Sequence, residues 1–492
     1  MTRTGEHTRH QPTLGRTHRI HMVGIGGIGM SSIAEVLLAR GFAVSGSDLQ
    51  LTDVTDHLIE LGADIREGHA AENVGEPDVV VYSSAVEPGT NPETREALDR
   101  RIPIISRAVM LGELMRTKFG VGIAGTHGKT TTTSMAGTVV ATGRFDPTII
   151  VGGKVTTFGS NARTGEGDII LVEADEYDRT FLRLTPSLAV ITNIEEEHLD
   201  TYRDLDDILN TYVRFAESVP FFGAAIVCLD DTNVQEILDR INRRVVTFGT
   251  SRQADVRADE VKQRGMRMTF DVFHHQELLG RATLDVPGMH NVRNALAAIA
   301  VGLELEMPFE QIRDGLAAFT GVQRRMDEIG EGRGVRVVDD YAHHPTEIRA
   351  TLEAASECWP ESRIVAVFQP HLYSRTRDFQ EAFARAFFNA DVLVMMDVYG
   401  AREEPIDGVD GSIIADLARS FGHREVHYVR DREKMPAFVA SIVRRGDVVL
   451  TLGAGDIWRY SRQLVEELAA GAENASAEHK TLTDTSDGSE NN

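Results

Sequence analysis

Short apolar runs alternate with stretches of helical periodicity along most of the chain, a pattern typical of parallel α/β sheets. Strands are predicted at 20–25, 42–47, 78–83 and 102–106, then at 119–124, 169–173, 189–193 and 224–229, and finally at 335–339, 363–368, 392–397, 425–428 and 447–452. Helices are predicted at 30–40, from about 130, and at 291–303, 346–356, 377–388, 412–420, 434–444 and 456–468, with an antiparallel stretch at 261–286. The pattern predicts three α/β domains in series.

Polar segments bound these domains. Residues 1–17 and 471–492 contain too few apolar side chains to offset the entropy of ordering, so we expect disordered tails there. A linker is predicted to begin at Gly321, and the predicted domains are 18–116, 117–321 and 322–470.

Composition narrows the class of protein. The 492 residues include 51 Lys plus Arg and 75 Asp plus Glu, a net charge of −24, which argues against nucleic acid or an anionic membrane as the main partner. No apolar run approaches the roughly 18 residues of a membrane span. Two cysteines, Cys228 and Cys358, build neither a disulfide framework nor a CxxC zinc site, which favours a reducing, cytoplasmic location.

Glycine and polar clusters follow the predicted strands, where parallel sheets bind ligands. Residues 125–131 read Gly-Thr-His-Gly-Lys-Thr-Thr between a strand and a helix, a turn that cradles phosphates, with Lys129 on the β/γ-phosphates and Thr130 on magnesium. The usual spacing would place a glycine at Ile123, so the motif is either a variant or an accident.

A phosphate loop needs an acidic partner at the end of a neighbouring strand, and Glu173 has that position. The run at 173–176 could equally be a solvated acidic loop. His198 follows the next apolar run and is either a second magnesium-site group or a structural histidine.

A second glycine turn, at 24–29, precedes a helix, and Asp48 ends the next strand. The pattern fits a dinucleotide such as NAD, but any nucleotide diphosphate would satisfy it. In the third region His343, His344, His371, Arg375 and Arg377 follow adjacent strands, where the arginines could hold a carboxylate or a phosphate. Arg377 could equally cover the helix that follows it.

Eight motifs occur in the order found in the Mur ligases of peptidoglycan synthesis, and the chain resembles that family over about residues 18–468. They are 24–31, 125–131, 173–178, 192–202, 290–295, 321–325, 339–345 and 369–375. The resemblance implies a Rossmann-like domain that binds a UDP substrate, a central P-loop-type ATPase domain with a variant phosphate loop, and a Rossmann-like C-terminal domain that closes on ATP and receives an amino acid.

The resemblance also implies roles for individual residues. ATP would meet Gly125, Thr126, His127, Gly128, Lys129, Thr130, Thr131, Asn291, Asn294, Arg325 and Asp340, and magnesium would meet Thr130, Glu173 and His198. The UDP substrate would meet Gly24, Gly26, Gly27, Gly29, Met30, Ser31, Asp48, Ser83, Ser84, Arg107 and Asn161. His344, His371 and Arg375 would bind the amino acid, and Lys129, Glu173, His198, His344 and Arg375 are the candidate catalytic residues.

Within the family, the motifs are most similar to the member that adds L-alanine to UDP-N-acetylmuramate with ATP and Mg²⁺. Tyr177 stands where we expect Ser and is common in a ligase that recycles a tripeptide onto the same sugar nucleotide. Gly400 and Arg402 depart from the expected Val-Tyr-Ala-Ala-Gly-Glu pattern. The residues also leave open two other functions, an NAD-dependent dehydrogenase and a nucleotide-switched binding protein. They do not decide between a monomer and a weak dimer.

Overall fold

The computed structural model describes residues 14–153, 160–199, 201–401 and 403–484. The chain forms two compact units. One comprises the chain up to Val261 with Thr269–Leu284 and Asn291–Val322, and the other comprises Lys262–Met268, Asp285–His290 and the chain from Gln323. The domain boundaries proposed from the sequence stay predictions.

The first sheet is parallel, with five strands in the order β3-β2-β1-β4-β5. Its strands are β1 Arg19–Val23, β2 Ala43–Asp48, β3 Asp64–Glu67, β4 Val79–Tyr82 and β5 Ile104–Ser106. Its helices are α1 Ile28–Ala39, α2 Asp53–Glu60, α3 Pro92–Asp99 and α4 Arg107–Arg116. The order reverses between β2 and β4, so the turn after β1 lies at a switch point, where such sheets bind ligands. The apolar pattern missed β3 because only Ile65 of its four residues is apolar and buried.

The second sheet has ten strands in the order β15-β14-β13-β12-β11-β10-β6-β9-β7-β8. They are β6 Phe119–Ala124, β7 Thr148–Ile150, β8 Ala162–Arg163, β9 Ile169–Glu173, β10 Leu188–Ile191, β11 Ala224–Cys228, β12 Val245–Gly249, β13 Val256–Arg264, β14 Arg267–His274 and β15 Glu277–Leu284. The helices are α5 Lys129–Thr142, α6 Leu205–Glu217, α7 Thr232–Gln235, α8 Met289–Glu304 and α9 Phe309–Ala318. Strands β13 to β15 are neighbours joined by two-residue turns, as the alternating pattern predicted.

The third sheet has six strands in the order β16-β17-β21-β18-β19-β20. They are β16 Asp327–Gly332, β17 Val335–Asp340, β18 Ile364–Phe368, β19 Val392–Met396, β20 Val426–Val429 and β21 Val448–Leu452, and only β16 pairs antiparallel among the pairings described. The helices are α10 Pro345–Cys358, α11 Tyr373–Asp378, α12 Gln380–Ala386, α13 Gly411–Ser420, α14 Met435–Ile442 and α15 Ile457–Asp484. The α/β fold class is therefore confirmed.

Two predictions differ from the structure. The single helix predicted at 377–388 is two short helices, α11 and α12, because the backbone of Phe379 leaves helical geometry at φ −111°, ψ 16°. Helix α15 ends at Asp484, past the predicted helix end at 468, while the disordered tail predicted from 471 stays a prediction. Residues 1–13 and 485–492 lie outside the described residues, as does Arg402.

Among the described helices, none combines the length and apolarity needed to cross a bilayer. Cys228 and Cys358 are both buried and free.

Candidate active site

The turn between β6 and α5 has the backbone geometry of an anion cradle. Gly128 caps α5 with φ +81°, and a Cβ there would lie 2.7 Å from Asn294 Oδ1. A Cβ at Gly125 would overlap the Thr192 hydroxyl. Glycine is therefore required at both positions, and the turn leads directly into the start of α5, where helix N–H groups can bind an anion.

The segment after β10 holds this turn through hydrogen bonds. Asn193 Oδ1 accepts from the His127 backbone N–H at 2.8 Å, and the Thr192 hydroxyl donates to the His127 carbonyl at 2.7 Å. The Thr126 hydroxyl accepts from the Glu195 N–H at 2.8 Å. Sequence reasoning gave Thr192, Asn193 and Glu195 no role, because bonds between separate loops leave no local pattern. Thr131, the last residue of the turn motif, is buried in the first turn of α5.

Lys129 lies over its own turn. Its ammonium donates to the carbonyls of Gly125 at 2.7 Å and Thr126 at 3.1 Å, and to Glu176 Oε1 at 2.7 Å. Burial alone would lower the pKa of Lys129, but the Glu176 and Asp175 carboxylates outweigh it and raise the pKa. Lys129 is therefore protonated, and its ammonium lies against the carbonyls of the turn.

The acidic partner predicted for the turn is in place. Strand β9 pairs with β6 in parallel, and Glu173 is in register with Ile123, two residues before the turn. Glu173 accepts from the Thr130 hydroxyl at 3.1 Å and from the Gly152 N–H at 2.7 Å. Burial raises the pKa of Glu173.

His198 approaches the same Glu176 carboxylate as Lys129 does. Its Nε2 is 3.6 Å from Glu176 Oε1 and 3.9 Å from Glu197 Oε2, and the Tyr177 ring packs edge-on against it at 5.2 Å between centroids. Burial acts to lower the pKa of His198, but hydrogen bonding to Glu176 and the Glu197 charge raise it. Its contacts are thus with Glu176 and Glu197, whereas Glu173 contacts Thr130.

The oxygen-rich set fits a hard divalent cation. Glu176, Glu197 and His198 each bring one ligand atom within 4.8 Å of the others. Buried Glu176 Oε2 has no hydrogen-bond partner among the described residues. Burial, and then the Glu176 charge, raise the pKa of Asp175. Unpaired carboxylate oxygen together with crowded negative charge is the chemistry that Mg²⁺ satisfies.

The glycine turn after β1 is fixed by the acid at the end of β2. Asp48 Oδ2 accepts from the Gly26 N–H at 2.8 Å, and Ser47 O accepts from Gly24 N and Ile25 N. Gly24 has φ +76° beside Ser83, and Gly27 is the N-cap of α1. Met30 and Ser31 are buried in α1, whereas Ser84 is exposed.

Arg107 connects this turn to the acidic segment after β9. At Gly29 a Cβ would overlap the Arg107 guanidinium, whose Nη2 lies 3.6 Å from Asp175 Oδ2. Asn161, whose carbonyl accepts from Val151 N, follows Ser160, which donates to Glu35 of α1 at 2.9 Å. Arg107, a predicted UDP-binding residue, therefore contacts Asp175, which follows the predicted magnesium ligand Glu173 by two residues.

The first turns of helix α8 contain the two asparagines predicted to contact ATP. Asn294 Nδ2 donates to Asn291 Oδ1 at 3.2 Å, and Asn294 lies against Gly128. Between them, Arg293 donates to Asp230 at 2.9 Å.

In the C-terminal unit the predicted groups surround the ends of β17 and β18. Asp340 accepts from Met326 N and Ala342 N, both at 2.8 Å, and burial raises its pKa to about 6. His344 caps α10 by accepting from Thr346 N. Arg325 lies 3.5 Å from Glu347, while Arg324 pairs with Asp339 at 2.9 Å.

His371 and Arg375 lie together, with Arg375 Nη1 donating to His371 Nδ1 at 3.5 Å. Burial, helped by the charges of His343 and Arg375, lowers the pKa of His371 to about 3, so the ring is neutral. Arg377 is exposed and paired with Asp378, away from them.

The chain matches three family descriptions in order: "Mur ligase family, catalytic domain" at 19–119, "Mur ligase middle domain" at 123–302 and "Mur ligase, glutamate ligase domain" at 324–455. With the relatives described next, these matches show that the chain belongs to the Mur ligase family, as its motifs predicted.

The chain is similar to several alanine-adding members of this family. It is 66% identical to the UDP-N-acetylmuramate–L-alanine ligase of Salinibacter ruber over 94% of this chain and 97% of that one. It is 52% identical to the enzyme of that name from Geobacter sulfurreducens, over 92% and 98%. The crystal structure of the UDP-N-acetylmuramate-alanine ligase of Thermotoga maritima is similar with a TM-score of 0.75 and 31% identity, over 91% of this chain and 98% of that one.

Proposed function

We propose that this chain forms the amide between UDP-N-acetylmuramate and L-alanine with hydrolysis of ATP, in the synthesis of peptidoglycan precursors. One observation carries the chemistry: the cradle at 125–131, with Lys129 over it and Glu173 on Thr130, has the parts that phosphoryl transfer needs. We infer the substrates from the names of the alanine ligases to which the chain is 66% and 52% identical.

An amide forms from a carboxylate only after an oxygen becomes a good leaving group. The γ-phosphoryl group of ATP moves to the lactyl carboxylate of UDP-N-acetylmuramate and gives an acyl phosphate. The neutral α-amine of L-alanine attacks the acyl carbon, and the tetrahedral species collapses to the amide with loss of phosphate, while one amine proton passes to the phosphate or to solvent.

Two anions have to approach each other for the first step. Lys129 and Arg325 would offset their charge, and Arg107, beside Asp175, would hold the diphosphate of the sugar nucleotide. Thr130 with Glu173, and His198 with the Glu176 and Glu197 carboxylates beside it, would hold magnesium, which would supply positive charge to the phosphates when bound. His344, His371 and Arg375 would orient L-alanine, with Arg375 on its carboxylate.

The remaining ATP contacts would come from Asn291, Asn294 and Asp340, and those of the UDP substrate from the turn after β1, Asp48, Ser83, Ser84 and Asn161. We place the reaction in the cytoplasm, where ATP and nucleotide sugars are available.

Phosphate release tests the proposal. The enzyme with ATP and Mg²⁺ should release phosphate only when both UDP-N-acetylmuramate and L-alanine are present. Release with the tripeptide in place of L-alanine would instead indicate the recycling ligase that Tyr177 suggested. Hydrolysis independent of the sugar nucleotide would indicate a nucleotide-switched binding protein.

A further inference from the structure

Two loops leave the same edge of the C-terminal sheet side by side, because β18 and β19 are parallel neighbours. The first, called here the amino-acid turn, consists of residues 371–375. From the second, Tyr399, Gly400 and Glu403 contact it; these three are called the supporting residues. The contacts between them determine where Arg375 lies.

The backbones are bonded at two points. Leu372 N–H donates to Tyr399 O at 3.0 Å, and Tyr399 N–H donates to Pro370 O at 2.8 Å. Leu372 has φ +72°, a conformation that a leucine rarely adopts unless its surroundings impose it. The Tyr399 ring stacks on His371, with centroids 5.8 Å apart and planes 16° apart.

Glu403 anchors the other end of the turn. Its Oε2 accepts from the Ser374 N–H at 2.9 Å, and its Oε1 accepts from the Ser374 hydroxyl. Arg375 is the next residue and donates to His371. The arginine is therefore flanked by His371, which Tyr399 supports, and by Ser374, which Glu403 supports.

Gly400 leaves space for the turn. A Cβ at this position would lie 2.6 Å from Tyr373 Cε2 and 3.2 Å from Glu403 O. This is a position at which the chain departs from the expected alanine, and the Tyr373 ring lies where that methyl group would be.

We propose that Glu403 is a positioning residue for the amino-acid substrate: it holds Ser374 so that Arg375 presents its guanidinium to the substrate carboxylate, and Gly400 leaves the room that Tyr373 requires. The inference rests on the proposed function, in which His371 and Arg375 bind the amino acid. Glu403 does not touch the substrate, so its removal should act on the amino acid and spare the other two substrates.

Steady-state kinetics on the full chain test this. For Glu403→Ala we expect KM for L-alanine to rise about tenfold, since two hydrogen bonds that fix the turn are lost. KM for ATP and for UDP-N-acetylmuramate should stay within about twofold. Glu403→Gln should recover most of the loss, because its amide still accepts from Ser374 N–H and donates to the hydroxyl. Gly400→Ala should also raise KM for L-alanine.

Asp410→Ala is the matched control. Asp410 accepts from the N–H and hydroxyl of Ser412 at the start of α13, the same chemistry at a different helix. An equal effect from Asp410→Ala, or an equal rise in all three KM values for Glu403→Ala, overturns the proposal. If His371→Ala and Arg375→Ala leave KM for L-alanine unchanged, the amino-acid site of the proposed function fails. If those two raise it and Glu403→Ala does not, the positioning role alone fails.

Discussion

Gly29 gives the sharpest test of the sugar-nucleotide site. A Cβ on Gly29 would overlap Arg107 Nη1 and lie 3.1 Å from its Cζ. Because these atoms are the far end of a flexible side chain, Gly29→Ala should displace the guanidinium while leaving the backbone in place. The displaced group loses its ion pair with Asp175, now 3.6 Å, and its place beside the turn after β1.

The magnitudes separate stability from binding. A partly exposed ion pair contributes about 0–1 kcal/mol, so the free energy of unfolding should fall by no more than about 1 kcal/mol. A hydrogen bond from Arg107 to a diphosphate would contribute about 1.5–3 kcal/mol, which corresponds to a rise in KM for UDP-N-acetylmuramate of roughly tenfold to a hundredfold. KM for L-alanine should not change.

Phosphate release at varied UDP-N-acetylmuramate measures this, with thermal melting as the folding control. Gly89→Ala is the matched variant, because Gly89 is not among the proposed UDP-binding residues and a Cβ on it would meet no atom within 4 Å beyond its chain neighbours. Arg107→Ala should reproduce the rise, and the double variant Gly29→Ala/Arg107→Ala should be no worse than Arg107→Ala alone. The reasoning is refuted if Gly29→Ala matches Gly89→Ala, or if its effect adds in full to that of Arg107→Ala.

Three further predictions follow from other contacts. Lys129→Ala should lower turnover by at least about a thousandfold while calorimetry finds UDP-N-acetylmuramate affinity within about twofold; equal loss of sugar-nucleotide binding would contradict it. Glu173→Ala should raise the magnesium concentration needed for half-maximal activity about tenfold, and an unchanged titration would remove Glu173 from the metal site. Burial would raise the pKa of Glu93, but hydrogen bonds led by that from His21 at 2.8 Å lower it overall. The stability that this lowered pKa adds is present above the ordinary pKa of about 4.5 and is lost as pH falls through the pKa of the folded state. Denaturant unfolding should therefore show the free energy of unfolding falling more steeply below about pH 5 for the wild type than for Glu93→Gln. Parallel curves would refute this prediction.

Where the hydrophobic pattern carried the information, the sequence predicted the fold closely. The strands at 119–124 and 169–173 have the predicted bounds, and Glu173 ends the strand next to the one that precedes the phosphate turn. These features are local or depend on a simple rule about parallel sheets.

The partners within the site were harder to predict. Glu176 stood out only as part of an acidic run, yet it is 3% exposed and bonds Lys129. Glu176 precedes a tight turn in which Asp178 and Arg179 have positive φ. The run contains no glycine that would have indicated such a backbone conformation. The sequence feature that came closest to indicating a role for Glu176 was the cluster of carboxylates just after a strand, in the region of a phosphate loop.

Strands β6, β9 and β10 lie side by side in the interior of the ten-stranded sheet. This position affects the order in which parts of the enzyme unfold on warming. Amides of interior strands exchange with solvent only when a large part of a domain opens, whereas edge strands fray readily. Deuterium labelling should therefore find slow exchange in these three strands, up to the carboxyl ends at which Glu173 lies and after which Lys129 and His198 follow. Warming should fray β8 and β15, at the two margins, well before the phosphate-transfer groups are disturbed.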